Sequence, residues 1–497
     1  MRRRDFLKYC SLFPLLWRCS AHRTFFKQPN ILLLMSDNHC WNHLGCYGDS
    51  VVRTPHIDGI AEQGIRFSHA FCSAPSCTPA RAGLLTGQDI WRLEQGANLW
   101  GILPKKFITF VDRLHAAGYH VGYQGKGWGP GSYKAAGRTQ NPAGKKFESF
   151  SSFLSANPGN RPWFYWFSSR NPHRPYDVGS GIKAGLDPGN VTVPSYLPDI
   201  PDVRKDICDY YREIERFDQQ VGDFLNVLKA NRQSENTLII VCSDNGWQMP
   251  RGLANLYDFG TRIPLVFSWP DTMPSGRVVD DFVNLNDLAP TILDLANADS
   301  LPDMTAKSLL SILLSNKEGR LDPDRNHIVT GRERHAWCRR DGLGYPARAL
   351  RTDRFLYIRN FEPDRWPAGD PPLFGDVDAH MLHYPCPTKL FILENRNDAK
   401  YRSFFELGFA KRPAEELYDL SVDADQIHNV AGHPQYRQIK EKLRQRLDDY
   451  LINTKDPRLT GGELIWDTAR YFAKKDFTPK PSQQARQRLG LKQEYHL

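Results

Sequence analysis

Two short apolar runs, about 200 residues apart, end in the same three residues, and that repetition limits the fold more than any other feature of the chain. Asn30-Ile31-Leu32-Leu33-Leu34-Met35 closes on Ser36-Asp37-Asn38, and Thr237-Leu238-Ile239-Ile240-Val241-Cys242 closes on Ser243-Asp244-Asn245-Gly246. A continuous apolar run bounded by turn formers reads as a strand covered on both faces. Helical periodicity lies between such runs. Residues 109–117 place Phe110, Val111 and Leu114 on one face, and residues 204–231 carry a stripe of Tyr210, Ile214, Phe217, Val221, Phe224 and Leu228. This alternation predicts an α/β fold: a large, mostly parallel central sheet flanked by helices. Ligands of such sheets bind beyond the carboxyl ends of the strands, so both Ser-Asp-Asn endings project to one edge. Asp37, Asn38, Asp244 and Asn245 converging there offer an all-oxygen site for a hard cation, calcium or magnesium. Asp and Asn also end strands because they favour turns, and the pattern by itself leaves both readings open.

Between the two runs lies Pro75-Ser76-Cys77-Thr78-Pro79-Ala80-Arg81-Ala82-Gly83-Leu84-Leu85-Thr86-Gly87. Pro79 near the start of an apolar segment marks a helix N-terminus, with Cys77 just before it. There the free N–H groups and the helix dipole favour an anion, and an unmodified thiol is expected to have a depressed pKa. A nucleophile, a redox group and a buried structural cysteine all remain possible readings of such a residue.

The whole segment resembles the signature of the type I sulfatases, within the alkaline phosphatase superfamily: Cys-x-Pro-x-Arg, an apolar pair, Thr and Gly. The resemblance extends over most of residues 29–290. It implies an alkaline phosphatase-like fold, oxidation of Cys77 to formylglycine by a formylglycine-generating or anaerobic sulfatase-maturating enzyme, and Ca2+ held by Asp37, Asn38, the modified Cys77, Asp244 and Asn245. It also implies that Arg81 holds the formylglycine hydroxyl, that Lys126 contacts a sulfate oxygen, and that His173 protonates the leaving group. Asn255-Leu256-Tyr257 and Pro172-His173-Arg174 resemble the heparan N-sulfatase (N-sulfoglucosamine sulfohydrolase) branch. The implied activity is hydrolysis of a sulfate ester or sulfamate on a sulfated glycan such as a heparan or heparin fragment. Alternatives are a phosphodiester or phosphonate hydrolase of the same superfamily, and a weakened enzyme that only binds sulfated glycans.

The pattern breaks at two places. Relatives usually carry a His two residues after the lysine, where Trp128 stands, and a basic residue at the position of Leu253. Arg251, two residues earlier, is the candidate replacement cation for the substrate. Beyond about residue 325, Gly331–His335, Tyr345–Arg351 and Arg354–Asn360 alternate as short antiparallel strands do, and residues 434–452 form an amphipathic helix to pack on them. The expected division is an export signal over 1–27, a catalytic domain over 28–325, and a C-terminal subdomain over 326–497 with a small antiparallel sheet and a polar tail. The Arg and His crowd at 332–340, His335 included, is either a subsite for an anionic sugar or a solvated face.

Arg3-Asp5-Phe6-Leu7-Lys8, with Arg4 between, resembles a twin-arginine export signal and implies a periplasmic protein. No apolar stretch is long enough to span a bilayer. The formal charge of +9 suits a polyanionic partner of any kind. The family resemblance implies a sulfated carbohydrate as that partner, and no nucleic acid.

Overall fold

The computed structural model describes residues 28–270, 272–376, 382–473 and 481–491. The expected export signal at 1–27 lies outside the described residues. The first eight strands are β1 (Asn30–Ser36), β2 (Ile65–Phe71), β3 (His120–Gly125), β4 (Lys145–Lys146), β5 (Trp163–Ser168), β6 (Thr237–Ser243), β7 (Leu265–Ser268) and β8 (Arg277–Asn284). They form one sheet in the order β4-β3-β5-β1-β6-β7-β2-β8. Only β7 runs against its neighbours, pairing antiparallel with β6 and β2.

The apolar runs are continuous because both faces of the sheet are covered. Leu32, Leu34, Ile239 and Val241 enter one core, while Ile31, Leu33, Met35, Leu238, Ile240 and Cys242 enter the other. Each such side chain contributes roughly 1.5–3 kcal/mol on burial. The first core is closed by the 30-residue helix Pro201–Ala230, which starts on Pro and buries Tyr210, Ile214, Phe217, Val221 and Phe224. The second is flanked by the helix Phe110–Ala116, fixed by a reciprocal cap between Thr109 and Asp112.

A second sheet follows: β9 (His327–Arg332), β10 (Ala347–Thr352), β11 (Phe355–Asn360) and β12 (Glu415–Asp419), all antiparallel in the order β12-β11-β10-β9. The helix Arg437–Asn453 lays Leu443, Leu447 and Leu451 against Val329, Leu350, Tyr357 and Leu417 of this sheet. Among the described residues no helix is long and apolar enough to cross a membrane.

The solvated-face reading of residues 332–340 is corrected by burial. Arg332, Glu333, Arg334, His335 and Arg339 are all buried. Arg332 and Arg339 both pair with Asp376, Arg348 and Arg458 pair with Glu333, and Arg348 also reaches Asp456. Arg332, Glu333, Arg334 and Arg339 do not line the cavity described next, and of these five buried residues only His335 does.

Candidate active site

β1 and β6 are adjacent and parallel, with Met35 opposite Cys242 and Ser36 opposite Ser243. The two Ser-Asp-Asn endings therefore leave the sheet side by side, as the repetition predicts. The backbone N–H of Asn38 donates to Asp244 Oδ1 at 3.1 Å. A positive φ of 66° at Asn38 turns the chain here, a conformation Asn tolerates better than most residues. Cys77 faces this pair. Its Sγ lies 3.4 Å from Asp37 Oδ1 and 3.8 Å from Asn38 Oδ1, and Asn245 Nδ2 lies 3.8 Å from the sulfur. Ligand atoms of Asp37, Cys77 and Asp244 lie within 4.8 Å of one another.

The donor set fits a hard cation. Asn245 is fully buried, yet its Oδ1 has no hydrogen-bond partner, an acceptor whose desolvation a cation would offset. The Asn38 amide is oriented for the same task, because its Nδ2 donates to Gln248 Oε1 at 3.4 Å and leaves Oδ1 towards Cys77. Gln248 also accepts from the backbone N–H of Arg174, next to His173.

Cys77 is the first residue of the helix Cys77–Thr86, which is buried along its whole length and ends on Gly87 in the left-handed region. The expectation of a depressed thiol pKa is corrected. Burial, and then the carboxylates of Asp244 and Asp37, push the thiol up, outweighing the helix terminus and the nearby Lys126 and Arg81. The charge that favours a bound cation disfavours a thiolate.

Arg81 lies one turn further along the helix and is fully buried. Its Nε donates to Asp244 Oδ2 at 2.8 Å, and its Nη1 donates to Gly127 O at 2.7 Å and to Ser168 Oγ. Burial alone would lower its pKa, but Asp244 and Asp37 hold it above the ordinary value. Lys126 Nζ bridges both oxygens of Asp37, at 2.9 and 2.8 Å. Its aim depends on Gly125: with φ 84°, a Cβ at this position would lie 2.0 Å from Ser168 O, so only glycine lets β3 close on β5 there. The His173 Nδ1 lies against the Arg174 carbonyl. Burial pulls the His173 pKa below the ordinary value, with Asp37 acting in the opposite direction.

These groups line a cavity of about 830 Å³ containing Asp37, Cys77, Lys126, His173, Leu253 and His335. His335 Nδ1 is 2.8 Å from the hydroxyl of Ser76, the residue before Cys77, and burial pulls its pKa down to about 4. The structure thus gathers Asp37, Asn38, Cys77, Arg81, Lys126, His173, Asp244, Asn245 and His335. It does not bring in Arg251, and that assignment is corrected. Arg251 is buried with its guanidinium 3.7 Å from the Tyr257 ring centroid, donating to Leu407 O, Tyr418 Oη and Gln426 O. With those acceptors satisfied behind the cavity wall, it does not replace the cation missing at Leu253. Trp128 is likewise in the core, its backbone paired with the Asn141 side chain.

Sequence reasoning missed Ser168, Gln248 and the Asp206 carboxylate that grips Arg174 at 2.8 and 2.6 Å. Ser168 carried a signal, since Trp163–Phe167 is another apolar run closed by a polar residue. Gln248 and Asp206 carried none.

The family model described as Sulfatase matches residues 29–298, more than half of the chain. The chain belongs to the sulfatase family. A second model, N-sulphoglucosamine sulphohydrolase, C-terminal, matches residues 251–362, in agreement with the branch resemblance. Human N-sulphoglucosamine sulphohydrolase is 28% identical over 509 residues, covering 90% of this chain and 94% of its own. An ulvan-active sulfatase of Formosa agariphila is 28% identical over 440 residues, covering 84% of this chain and 78% of its own. Among solved structures, a protein in complex with its substrate D-glucosamine-2-N,6-O-disulfate matches with a TM-score of 0.62 at 19% identity, over 88% of this chain and 100% of that one. A phosphonate monoester hydrolase from Silicibacter pomeroyi matches with a TM-score of 0.64 at 17% identity, over 90% of this chain and 100% of that one. At such identities the two structures establish the fold alone. The sulfatase assignment rests on the family match, and it makes this chain a sulfuric ester hydrolase.

Proposed function

We propose that this sulfatase removes sulfate from an amino sugar, as a sulfamate or an ester, with Cys77 converted to formylglycine and calcium held by Asp37, Asn38, Asp244 and Asn245. One observation carries the reading: Cys77 stands among four oxygen donors, one of them a buried acceptor without a partner, at the wall of a cavity that also holds Lys126 and His173. Oxidised at Cys77 and loaded with calcium, the site gains an oxygen nucleophile and a Lewis acid.

The remaining work falls to this chain's own side chains. Arg81 holds Asp244 and the Gly127 carbonyl in place and offsets negative charge beneath the nucleophile. Lys126 is a fixed cation for the sulfate oxygens, an interaction worth roughly 2–4 kcal/mol in such a site. His173 delivers a proton to the leaving nitrogen or oxygen. Bound sulfate, being anionic, raises the His173 pKa and so opposes the effect of burial. The sugar assignment is supported by the similarity to N-sulphoglucosamine sulphohydrolase. Export to the periplasm by the twin-arginine route belongs to the same reading and is supported by the pattern at residues 3–8.

The test is co-expression with a maturation enzyme, mass spectrometry of the Cys77 peptide, and assay of sulfate release from glucosamine N-sulfate, sugar O-sulfates and a phosphonate monoester. Formylglycine with sulfate release from the amino sugar is the expected result. An unmodified thiol, or turnover of the phosphonate alone, overturns the reading.

A further inference from the structure

The cavity has a second side, and it is aromatic. Trp100, Trp337 and Tyr471 line it together with Leu99 and Leu253. They come from three distant stretches: the loop before Gly101, the buried segment after β9, and the C-terminal stretch that follows the last long helix. All three rings are half-buried. Tyr471 neighbours both of the others, 6.4 Å from Trp100 and 5.7 Å from Trp337 by ring centroids, tilted by 57° and 50°.

The wall is held rigidly. Arg334 is 1% exposed and does not line the cavity; its guanidinium lies 5.4 Å from the Trp337 ring and 5.6 Å from the Tyr471 ring. Its Nη1 donates to the Gly342 and Asp467 carbonyls and its Nη2 to Ala469 O at 2.6 Å. The Arg334 carbonyl accepts from Leu99 N at 3.0 Å, and Phe472 N donates to Trp100 O at 2.7 Å, so the three stretches are stitched together. Trp100 has a φ of 56°, which is costly for a bulky residue and is found where surrounding structure imposes it, often at ligand clamps. Two residues before Trp337, His335 bonds to Ser76, which ties the wall to the start of the nucleophile helix.

The charges beyond the nucleophile are few. Lys126 is paired with Asp37, Arg174 is paired with Asp206, and Glu213 adds a carboxylate to the lining; Arg170 is exposed. A polyanionic chain needs a row of uncommitted cations, and the described lining does not offer one. Rigid aromatic faces suit instead the flat C–H face of a pyranose ring, whose polarised hydrogens meet the negative face of the ring quadrupole.

We propose that Trp100, Trp337 and Tyr471 form a stacking subsite for the pyranose that carries the reacting sulfate, selecting a short, sparsely sulfated sugar over a polysulfated chain. This rests on the sulfatase reading for the position of the sulfate, but the wall is tested without turnover. In full-length Cys77→Ser protein, calorimetry measures binding of glucosamine N-sulfate, glucosamine and inorganic sulfate. Trp100→Ala and Trp337→Ala are expected to weaken glucosamine N-sulfate about tenfold, equivalent to 1.4 kcal/mol, and to leave inorganic sulfate within about twofold. Trp337→Leu, which fills the space without a ring, is expected to weaken the sugar as well, and Trp337→Phe to retain most of the affinity. The proposal is overturned if sugar and inorganic sulfate weaken together, if neither weakens, or if a heparin tetrasaccharide displaces the monosaccharide about tenfold better than the monosaccharide displaces itself. Loss of the sulfatase reading shows separately: inorganic sulfate fails to bind the parent, while glucosamine still senses the wall.

Discussion

Asp376 offers the sharpest test of what holds the cavity together. Its carboxylate is fully buried and accepts from Arg332 Nη2 at 2.6 Å, from Arg339 Nη2, and from the backbone N–H of Ala336 at 2.8 Å. The two guanidiniums hold this carboxyl well below the usual carboxylate range despite its burial. Asp376→Asn keeps the shape but leaves two buried arginines facing a neutral amide. Removing one partner of a buried ion pair costs roughly 3–5 kcal/mol, and the retained amide oxygen places this variant near the low end. Unfolding entropy of ~2.1 cal/mol/K per residue gives about 1 kcal/mol/K for a chain of this size, so the melting temperature should fall by about 3 °C. Calorimetry of parent and variant measures the shift directly. The pH dependence is a second readout with a definite sign. Because the folded pKa lies below the unfolded one, the contribution of Asp376 is present above about pH 4 and is lost as pH falls further, so the deficit should narrow in acid. Replacing Asp376, Arg332 and Arg339 together by leucine or methionine should recover much of the loss. A variant that melts within 1 °C of the parent, or a deficit that widens in acid, would refute the account.

Two further predictions follow from the same kind of argument. His173→Asn should slow release from poor leaving groups by roughly 10²–10⁴, while nitrophenyl sulfate, whose leaving group needs no proton, should lose far less; an equal loss on both would remove the acid role. Asp89, buried under the Tyr450 hydroxyl at 3.1 Å, has its pKa pushed up by burial to about 7. Its raised folded pKa means that stability is greatest below the unfolded pKa and is lost as pH rises through about 7. Asp89→Asn should therefore gain roughly 2–4 kcal/mol on the parent between about pH 4 and about pH 8, and a pH-independent difference would exclude this.

Much of the site was legible because it is built from chain neighbours of regular elements. The two Ser-Asp-Asn endings follow buried strands, and parallel pairing of β1 with β6 needs no more than matching apolar runs to put Asp37 beside Asp244. The Cys77 helix announces itself by Pro79 and by the apolar positions that bury it. Lys126 and His173 were legible only through the family order of motifs, since a lysine between glycines has no periodic signature.

The thiol's environment and the fate of the arginines were different. The helix start by itself argues for a lowered Cys77 pKa, but burial, and then two carboxylates at the ends of strands distant in sequence, reverse the sign. Arg251, Arg332, Arg334 and Arg339 look available in the sequence, yet ion pairs and carbonyls from residues as far away as Asp376, Gln426 and Ala469 engage them. The aromatic wall is likewise assembled from three stretches without shared periodicity. Local pattern determined the sheet, the strand-end carboxylates and the Cys77 helix, because each depends on burial along one segment. Which charges remain for a substrate, and which rings face it, depends on pairings between segments, and only the tertiary structure decides those.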